Sequence, residues 1–490
     1  MNGSKLIAFG TKHLAIYSTL VLGLFILVYS ILHQGLLYGV IVSSIPLIII
    51  LSILFFQSPY WGLMSIVIGN YFIMGIGRYL PISSIGLVID GLFILTFFVL
   101  LLKACYLKIE WKNIRNDFTL AASIWLIYCL LEVFNPQSVS FRAWATSIRL
   151  MSFYIFLIAI LVPTIFHRYK DLKIFIFTWS FLTLLAVLKA LYQKEFGFDA
   201  SEMRWLYIEG KASTHILSTG IRYFSFFTDA ANFGSGMGLS LVVFTIVGLH
   251  TQKLFWKVYY ILIGLLAGYG MMISGTRSTM IIPFAGFSLY LLLSKNLRVI
   301  LLGGVGLVFA FYFFAFTTIG QRYAEIRRMR SAFRFEQDAS FNVRIENQKK
   351  ISTYMADKPF GVGIGLGGGK ALVNAPNLFT AQIPTDSWFV VLWEETGVVG
   401  LVLYLSLFFL LIIRGGYNAM FRIKNRQLKF LMISLLSGTF GLLVSSYSNE
   451  VIAQFPNGII VYISMAFVFM GKKFDADIEE ATPKLAAHEK

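Results

Sequence analysis

Residues 385–400 read TDSWFVVLWEETGVVG, a polar pair (Asp386, Ser387), nine residues, then Gly397-Val-Val-Gly400. The apolar run continues to residue 413, so 388–413 is expected to be a membrane-spanning helix whose first turn carries a carboxylate and a hydroxyl. Glu394 and Glu395 follow about two helical turns further in, at about 1.5 Å per residue. A carboxylate inside a span costs about 2.5–3.5 kcal/mol on insertion scales, so these acids should face protein or water. They differ by about 100° around the helix, and Glu395 is expected to be structural, bonded to a neighbouring helix.

The other candidates are guanidinium groups. Arg277, in SGTRST (274–279), lies in a tight turn just before an apolar run. A helix N-terminus beside a guanidinium can bind an anion; the alternative is that Arg277 snorkels to lipid headgroups. Arg222, in IRYFSFFTDAANF (221–233), precedes another helix start, with Asp229 and Asn232 as capping residues. There the alternative is an Arg222–Asp229 pair. Arg344 falls on a segment of helical spacing, 340–355, which Pro359 terminates. Arg142 and Arg149 flank a further polar segment and suit interfacial anchoring as well as substrate binding. Asp386 could orient or deprotonate a hydroxyl, or simply cap its helix. A helix N-terminus and nearby arginines should lower its pKa.

These residues must be held by membrane helices. The chain has 490 residues, 57% of them hydrophobic and only 13% charged, with a mean hydropathy of +0.75. That is a polytopic membrane protein, all-α, and excludes a soluble globule. Two cysteines, Cys105 and Cys129, cannot form a disulfide framework. The net charge of +17 is spread between spans, favouring lipid phosphates and anionic glycolipids over nucleic acid. Basic residues at the start, Lys5 and Lys12, precede an apolar run without a small-residue cleavage site, so the first helix is expected to be retained.

Apolar runs predict about fourteen spans, twelve at the fewest: 14–32, 35–56, 60–76, 85–102, 118–134, 148–166, 172–192, 233–249, 255–273, 279–293, 299–316, 388–413, 428–447 and 451–470. The expected organisation is N-terminal spans in 1–316 with a polar insertion at 193–232, a large helical extracytoplasmic loop at 317–387, C-terminal spans in 388–471 and a cytoplasmic tail at 472–490. Lys and Arg in alternate short connections put both termini in the cytoplasm. The insertion, the Arg277 turn and the large loop then share the outer face. Most arginines of that loop read as a solvated charge run, and the acids at 475 and 477 as part of a solvated tail. The stretch GVGIGLGGGK (361–370) contains a GxGxxG match. With no strand before it and no βαβ unit, it is expected to be flexible turns and not a dinucleotide site. No cluster has metal-ligand spacing, so neither metal nor cofactor is expected.

The polar pair, nine residues and Gly-x-x-Gly resemble the signature of the bacterial O-antigen ligase/polymerase superfamily, in which a His stands where this chain has Asp386. Arg222 ahead of Asp-x-x-Asn, Arg277 in its turn, and Arg344 followed by Asp357, Pro359, Gly361 and Gly363 resemble other family motifs. Glu395 resembles the family acid before Gly397 and Gly400, and Asp90 an acid common in the fourth span. Thr-Asp-Ser at 385–387 is similar to the polymerases. The resemblance implies a metal-independent, inverting glycosyltransferase of the bacterial inner membrane. Its donor would be an undecaprenyl-diphosphate-linked glycan and its acceptor a hydroxyl of another lipid-linked repeat, as in O-antigen or exopolysaccharide polymerisation. Catalytic roles would fall to Asp386, Arg277 and Arg222, substrate binding to Arg344, Ser387, Arg142 and Arg149, and structural roles to Glu395, Gly397, Gly400 and Asp90. Membrane lipids and a chain-length regulator are the further partners it admits. A ligase acting on lipid A core or protein remains an alternative. So does a lipid-linked oligosaccharide flippase, although no clear internal repeat is present and the candidate groups gather at one face.

Overall fold

The computed structural model describes residues 53–80, 84–218, 220–333, 339–385 and 387–488, together with Gly23 and Tyr29. The protein is an all-α polytopic bundle. Among the described residues the only sheet is a hairpin pairing Ile216–Leu217 antiparallel with Gly220–Ile221. Eleven described helices are long and apolar enough to cross a membrane, and each overlaps a span predicted between residues 60 and 447. The first two predicted spans, 14–32 and 35–56, lie outside the described residues but for a few positions. The predicted last span begins later than expected, in helix Asn457–His488. Pro456 explains the shift: it lacks an N–H and disfavours helix at the residue before it.

Helices Ala230–His250 and Arg426–Ser445 form the centre, with 78% of their apolar windows buried, whereas Leu297–Phe316 buries 0% and is peripheral. Small residues explain the central position. Gly238, Gly438 and Gly441 bring their backbones against Ile282, Leu239 and Val243, and close approach gives van der Waals packing where lipid supplies no hydrophobic drive. Peripheral Leu297–Phe316 instead exposes Leu302, Val305, Val308 and Phe309, as a lipid-facing helix does.

The helix carrying the 385–400 motif runs Trp388–Phe421 and is broken at Gly397, where φ is 67° and ψ is −174°. A break leaves carbonyls of the preceding turn without their partners four residues on. Here the segment after Pro359 repairs them. Val362 N donates to Glu394 O at 2.8 Å and Gly363 N to Glu395 O at 3.1 Å, while Val399 N donates to Pro359 O at 3.2 Å. Tyr128 Oη donates to Thr396 O at 2.8 Å. The expectation of flexible glycine turns is therefore corrected: 361–368 is buried, and its glycines admit neighbouring backbone. A Cβ on Gly361 would lie 2.6 Å from Glu394 O, and one on Gly365 2.5 Å from Ala143 O.

The tail also departs from expectation. Helix Asn457–His488 continues through residues read as solvated, and buried Asp475 accepts from Lys424 N at 2.8 Å and Asn425 N at 2.9 Å. A carboxylate facing two backbone donors is satisfied without water, which spacing alone could not reveal.

Gly397→Ala should lower stability by about 3 kcal/mol, from the left-handed backbone and the overlap with Pro359. Gly369→Ala, at an exposed helical site with nothing within 4 Å of the added Cβ, should instead raise it by about 0.4–1 kcal/mol, because alanine restricts the unfolded chain. Thermal unfolding of the purified protein in detergent measures both.

Candidate functional site

The insertion at 193–232 is a folded cap that presents Arg222. Gln193, at the end of helix Tyr169–Phe196, accepts through Oε1 from Phe224 N at 3.3 Å and Ser225 N at 2.9 Å. Arg78, buried and absent from the sequence-derived candidates, clamps the same stretch. Its guanidinium lies between the rings of Trp205 and Phe224, 4.5 and 4.4 Å from their centroids, and donates to Ser225 O at 2.7 Å. His215 holds the other side: Nδ1 donates to Lys211 O at 2.9 Å, and Nε2 accepts from Ala230 N at 3.3 Å. Burial pushes its imidazole down to about 4, reinforced by the Arg222 charge, so the ring is neutral. Between these anchors, Arg222 donates to Thr214 O at 2.9 Å and Thr276 Oγ1 at 2.7 Å. Asp229 caps helix Ala230–His250 through Asn232 N at 2.8 Å, so the Arg222–Asp229 pair weighed from sequence is replaced by these contacts.

Thr276 belongs to the Arg277 turn, which joins helix Leu254–Ile273 to the 3-10 turn Arg277–Met280. Gly275 sits there with φ of 60°. A Cβ on it would meet Arg222 Cγ at 3.2 Å and Arg328 Cδ at 3.2 Å. Arg328 comes from helix Ala324–Arg330 of the large loop, in the segment read as a solvated charge run. That reading is corrected for this helix. Glu325 pairs with Lys194 at 2.6 Å, buried Arg330 donates to Thr317 Oγ1 at 2.9 Å, and half-buried Arg328 reaches Gly220 O at 3.4 Å. Burial, then the charges of Arg222 and Arg277, pushes the Arg328 guanidinium down to about 10. Three arginines from distant parts of the chain therefore share one neighbourhood. Like charges brought together repel, and a polyanion placed among them would relieve that repulsion through charge-assisted hydrogen bonds.

Asp386 lies outside the described residues, but its neighbours are fixed. Ser387 caps Trp388–Phe421, accepting from Val390 N at 3.4 Å. Trp388 N donates to Ser446 O at 3.0 Å, while Asn449 Nδ2 donates to Ser278 Oγ at 2.6 Å. The residues following Ser387 and Arg277 are thus fastened to the same end of helix Arg426–Ser445. Arg344, on helix Ala339–Met355, lines a cleft with Thr385 and Ser387. That space is about 10 Å³, the size of one water, so the loop helix is seated on the motif.

Other predicted residues fall elsewhere. Arg149 pairs with Asp90, which also accepts from Tyr154 Oη; this pair braces helix against helix. Arg142 is exposed on the short helix Phe141–Ile148. Glu395 is fully buried, and it is bonded to a neighbouring helix: its partner is Lys370 at 3.3 Å, on the short helix Gly368–Asn374. Glu394 accepts from Gly368 N at 2.8 Å beneath the glycine-rich loop. Gly400 faces Tyr128, whose ring carbon would lie 2.9 Å from an added Cβ. Among the described residues, no group of three His, Cys, Asp or Glu is arranged to hold a metal ion.

The family model described as O-Antigen ligase matches residues 261–405. This supports the O-antigen ligase/polymerase superfamily for the chain, whose polytopic helical fold agrees with it. The match takes in Arg277, Arg328, Arg344 and the break at Gly397, and stops short of Arg222 and the insertion that carries it. No curated protein matches the chain.

Two outcomes follow from this geometry. Arg328→Gln should weaken binding of inorganic pyrophosphate to the purified protein about tenfold, read by the ligand-dependent rise in thermal unfolding temperature, while Arg327→Gln, on an exposed neighbour, should leave it unchanged. His215 titrates lower in the folded cap than in the unfolded chain, where its pKa is about 6.5. The unfolded state therefore takes up the proton first as pH falls. The cap should hold full stability above about pH 6.5 and lose on the order of 3 kcal/mol by about pH 4. Hydrogen exchange across 193–232 should follow that slope, and His215→Asn should flatten it.

Proposed function

We propose that this protein is a membrane polysaccharide polymerase. It transfers a glycan from a polyprenyl diphosphate, of the undecaprenyl type, to a hydroxyl of another lipid-linked repeat unit on the outer face of the cytoplasmic membrane. The observation that carries this reading is the meeting of Arg222, Arg277 and Arg328 at one end of the bundle. The chemical demand of the reaction is a leaving group with several negative charges, and preorganised cations aimed at developing charge are the strongest means of meeting it.

In the step itself, the acceptor oxygen forms a bond to the anomeric carbon as that carbon's bond to the diphosphate oxygen breaks. Attack opposite the leaving group inverts the centre. The diphosphate departs with the bonding electrons onto the arginines, and the acceptor proton passes to Asp386. A carboxylate is a weaker base than imidazole, so this transfer comes late, when the attacking oxygen has become acidic. Arg344, seated beside Thr385 and Ser387, orients the acceptor. Ligation to lipid A core or protein would use the same donor chemistry, and the matching model is described for a ligase; Thr-Asp-Ser at 385–387 favours the polymerase.

Arg277→Ala should leave the protein inserted and abolish chain extension, as read by the polymer length on a gel of envelope glycans. Wild-type lengths from that variant remove Arg277 from the mechanism. In a deletion strain, single repeats on the lipid carrier should accumulate; long unattached polymer would mean ligase instead.

A further inference from the structure

Helix Ala339–Met355 lies over the polar start of the motif helix and turns four side chains toward it. Arg344, Asn347, Gln348 and Ile351 follow the spacing i, i+3, i+4, i+7, which puts them on one helix face. Opposite them stand Pro384, Thr385 and Ser387, so the cleft touches both chain neighbours of Asp386. Thr385 Oγ1 is buried without a hydrogen-bond partner among the described residues, although buried hydroxyls are normally paired. The space left is about 10 Å³, room for one water. The two halves of the helix are held differently. Toward its end, Ile351 and Met355 are buried in a small apolar core with Val362, Leu366 and Ile383. Tyr354 stacks there on Phe379, with ring centroids 4.6 Å apart. Toward its start, Asn342, Val343, Ile345 and Glu346 are exposed, and Asn347 Nδ2 donates to Pro384 O at 3.1 Å.

We infer that Asn347 and Gln348 read the hydroxyls of the acceptor's terminal sugar, on a helix whose front half lifts to admit it. The inference rests on the acceptor class proposed above and adds the residues that select it. A sugar ring is far larger than one water, so the cleft has to widen. The buried end of the helix is the fixed point. Val343 and Ile345 at the front are exposed already, so lifting them uncovers no core. Each carboxamide offers two N–H donors and a carbonyl acceptor in one plane, a pattern that two adjacent sugar hydroxyls complete. On entry a sugar oxygen takes over the Asn347 N–H from Pro384 O, and a sugar hydroxyl gives Thr385 Oγ1 the partner it lacks. Arg344 is the one cation of the lining, so recognition falls mainly on hydroxyl geometry. A wrong sugar is rejected because it leaves these polar groups covered and unpaired.

The test separates acceptor from donor. A repeat unit freed from its lipid by mild acid and labelled with a fluorophore at its reducing end carries no diphosphate to lose, so it acts as acceptor alone. The full chain in lipid nanodiscs receives this labelled repeat together with the lipid-linked repeat as donor. Asn347→Leu and Gln348→Leu should each raise the half-saturating concentration of labelled repeat at least tenfold. The maximal rate, the half-saturating donor concentration and the unfolding temperature should stay at wild-type values. Asn342→Leu, the same exchange on an exposed part of the helix, should change none of them. An unchanged half-saturation for the labelled repeat in either cleft variant overturns the inference and leaves the polymerase reading intact. So does a loss confined to the maximal rate, which would place the helix in the chemical step instead. If the wild type transfers nothing to the labelled repeat, fluorescence anisotropy reads binding alone. Binding that weakens about tenfold in both cleft variants then supports the sugar subsite while sinking the polymerase reading; no binding, or equal binding by the variants, overturns the subsite.

Discussion

A helix that breaks inside a bilayer leaves backbone groups that no solvent can satisfy, and each one left bare costs several kcal/mol. The break at Gly397 creates this deficit, and the stretch after Pro359 removes it by lending two N–H groups and one carbonyl to the exposed backbone. That exchange fixes where the large loop returns to the bundle. From it follow the burial of Glu394 and Glu395 beneath the glycines, the ion pair to Lys370, and the seating of helix Ala339–Met355 against the residues around Asp386. Glycine at 361, 365 and 397 is demanded by backbone meeting backbone, where a side chain has no room.

The second constraint is electrostatic and runs against folding. Guanidinium groups gathered in one neighbourhood repel, and the segments that carry these three are held by contacts of their own. Arg222 is held by the capped insertion that Arg78, Gln193 and His215 pin down. The turn carrying Arg277 is fastened to helix Arg426–Ser445 through Ser278. The short helix of Arg328 is moored at both ends, by Glu325 to Lys194 and by Arg330 to Thr317. The neighbouring salt bridge and hydrogen bonds thus hold the three side chains in one neighbourhood, as supporting contacts do in preorganised sites.

Much of this was legible in the chain itself. Long apolar runs mark membrane helices because bilayer thickness sets their length, and the spans between residues 60 and 447 could be read from that alone. The order of Arg222, Arg277, Arg344 and Asp386–Gly400 carried the family resemblance, which the match over 261–405 supports. The helix start after Asp229 followed from ordinary capping chemistry, whereas the motif helix, for which Asp386 was weighed as the cap, is capped by Ser387.

What the tertiary structure alone decided is which charges meet. Arg328 and Arg327 are neighbours of one type in one basic run, yet one faces the cluster and the other water; no local signal separates them, because the difference lies in how a seven-residue helix is moored to distant partners. Arg149 reads in sequence as either an interfacial anchor or a substrate-binding residue, and only the fold sets Asp90, 59 residues away, against it. The glycines of 361–368 were composed like a loose loop and serve as a close-packed one. Sequence periodicity reports each helix's own faces; contacts between segments hundreds of residues apart arise only when the chain has closed on itself.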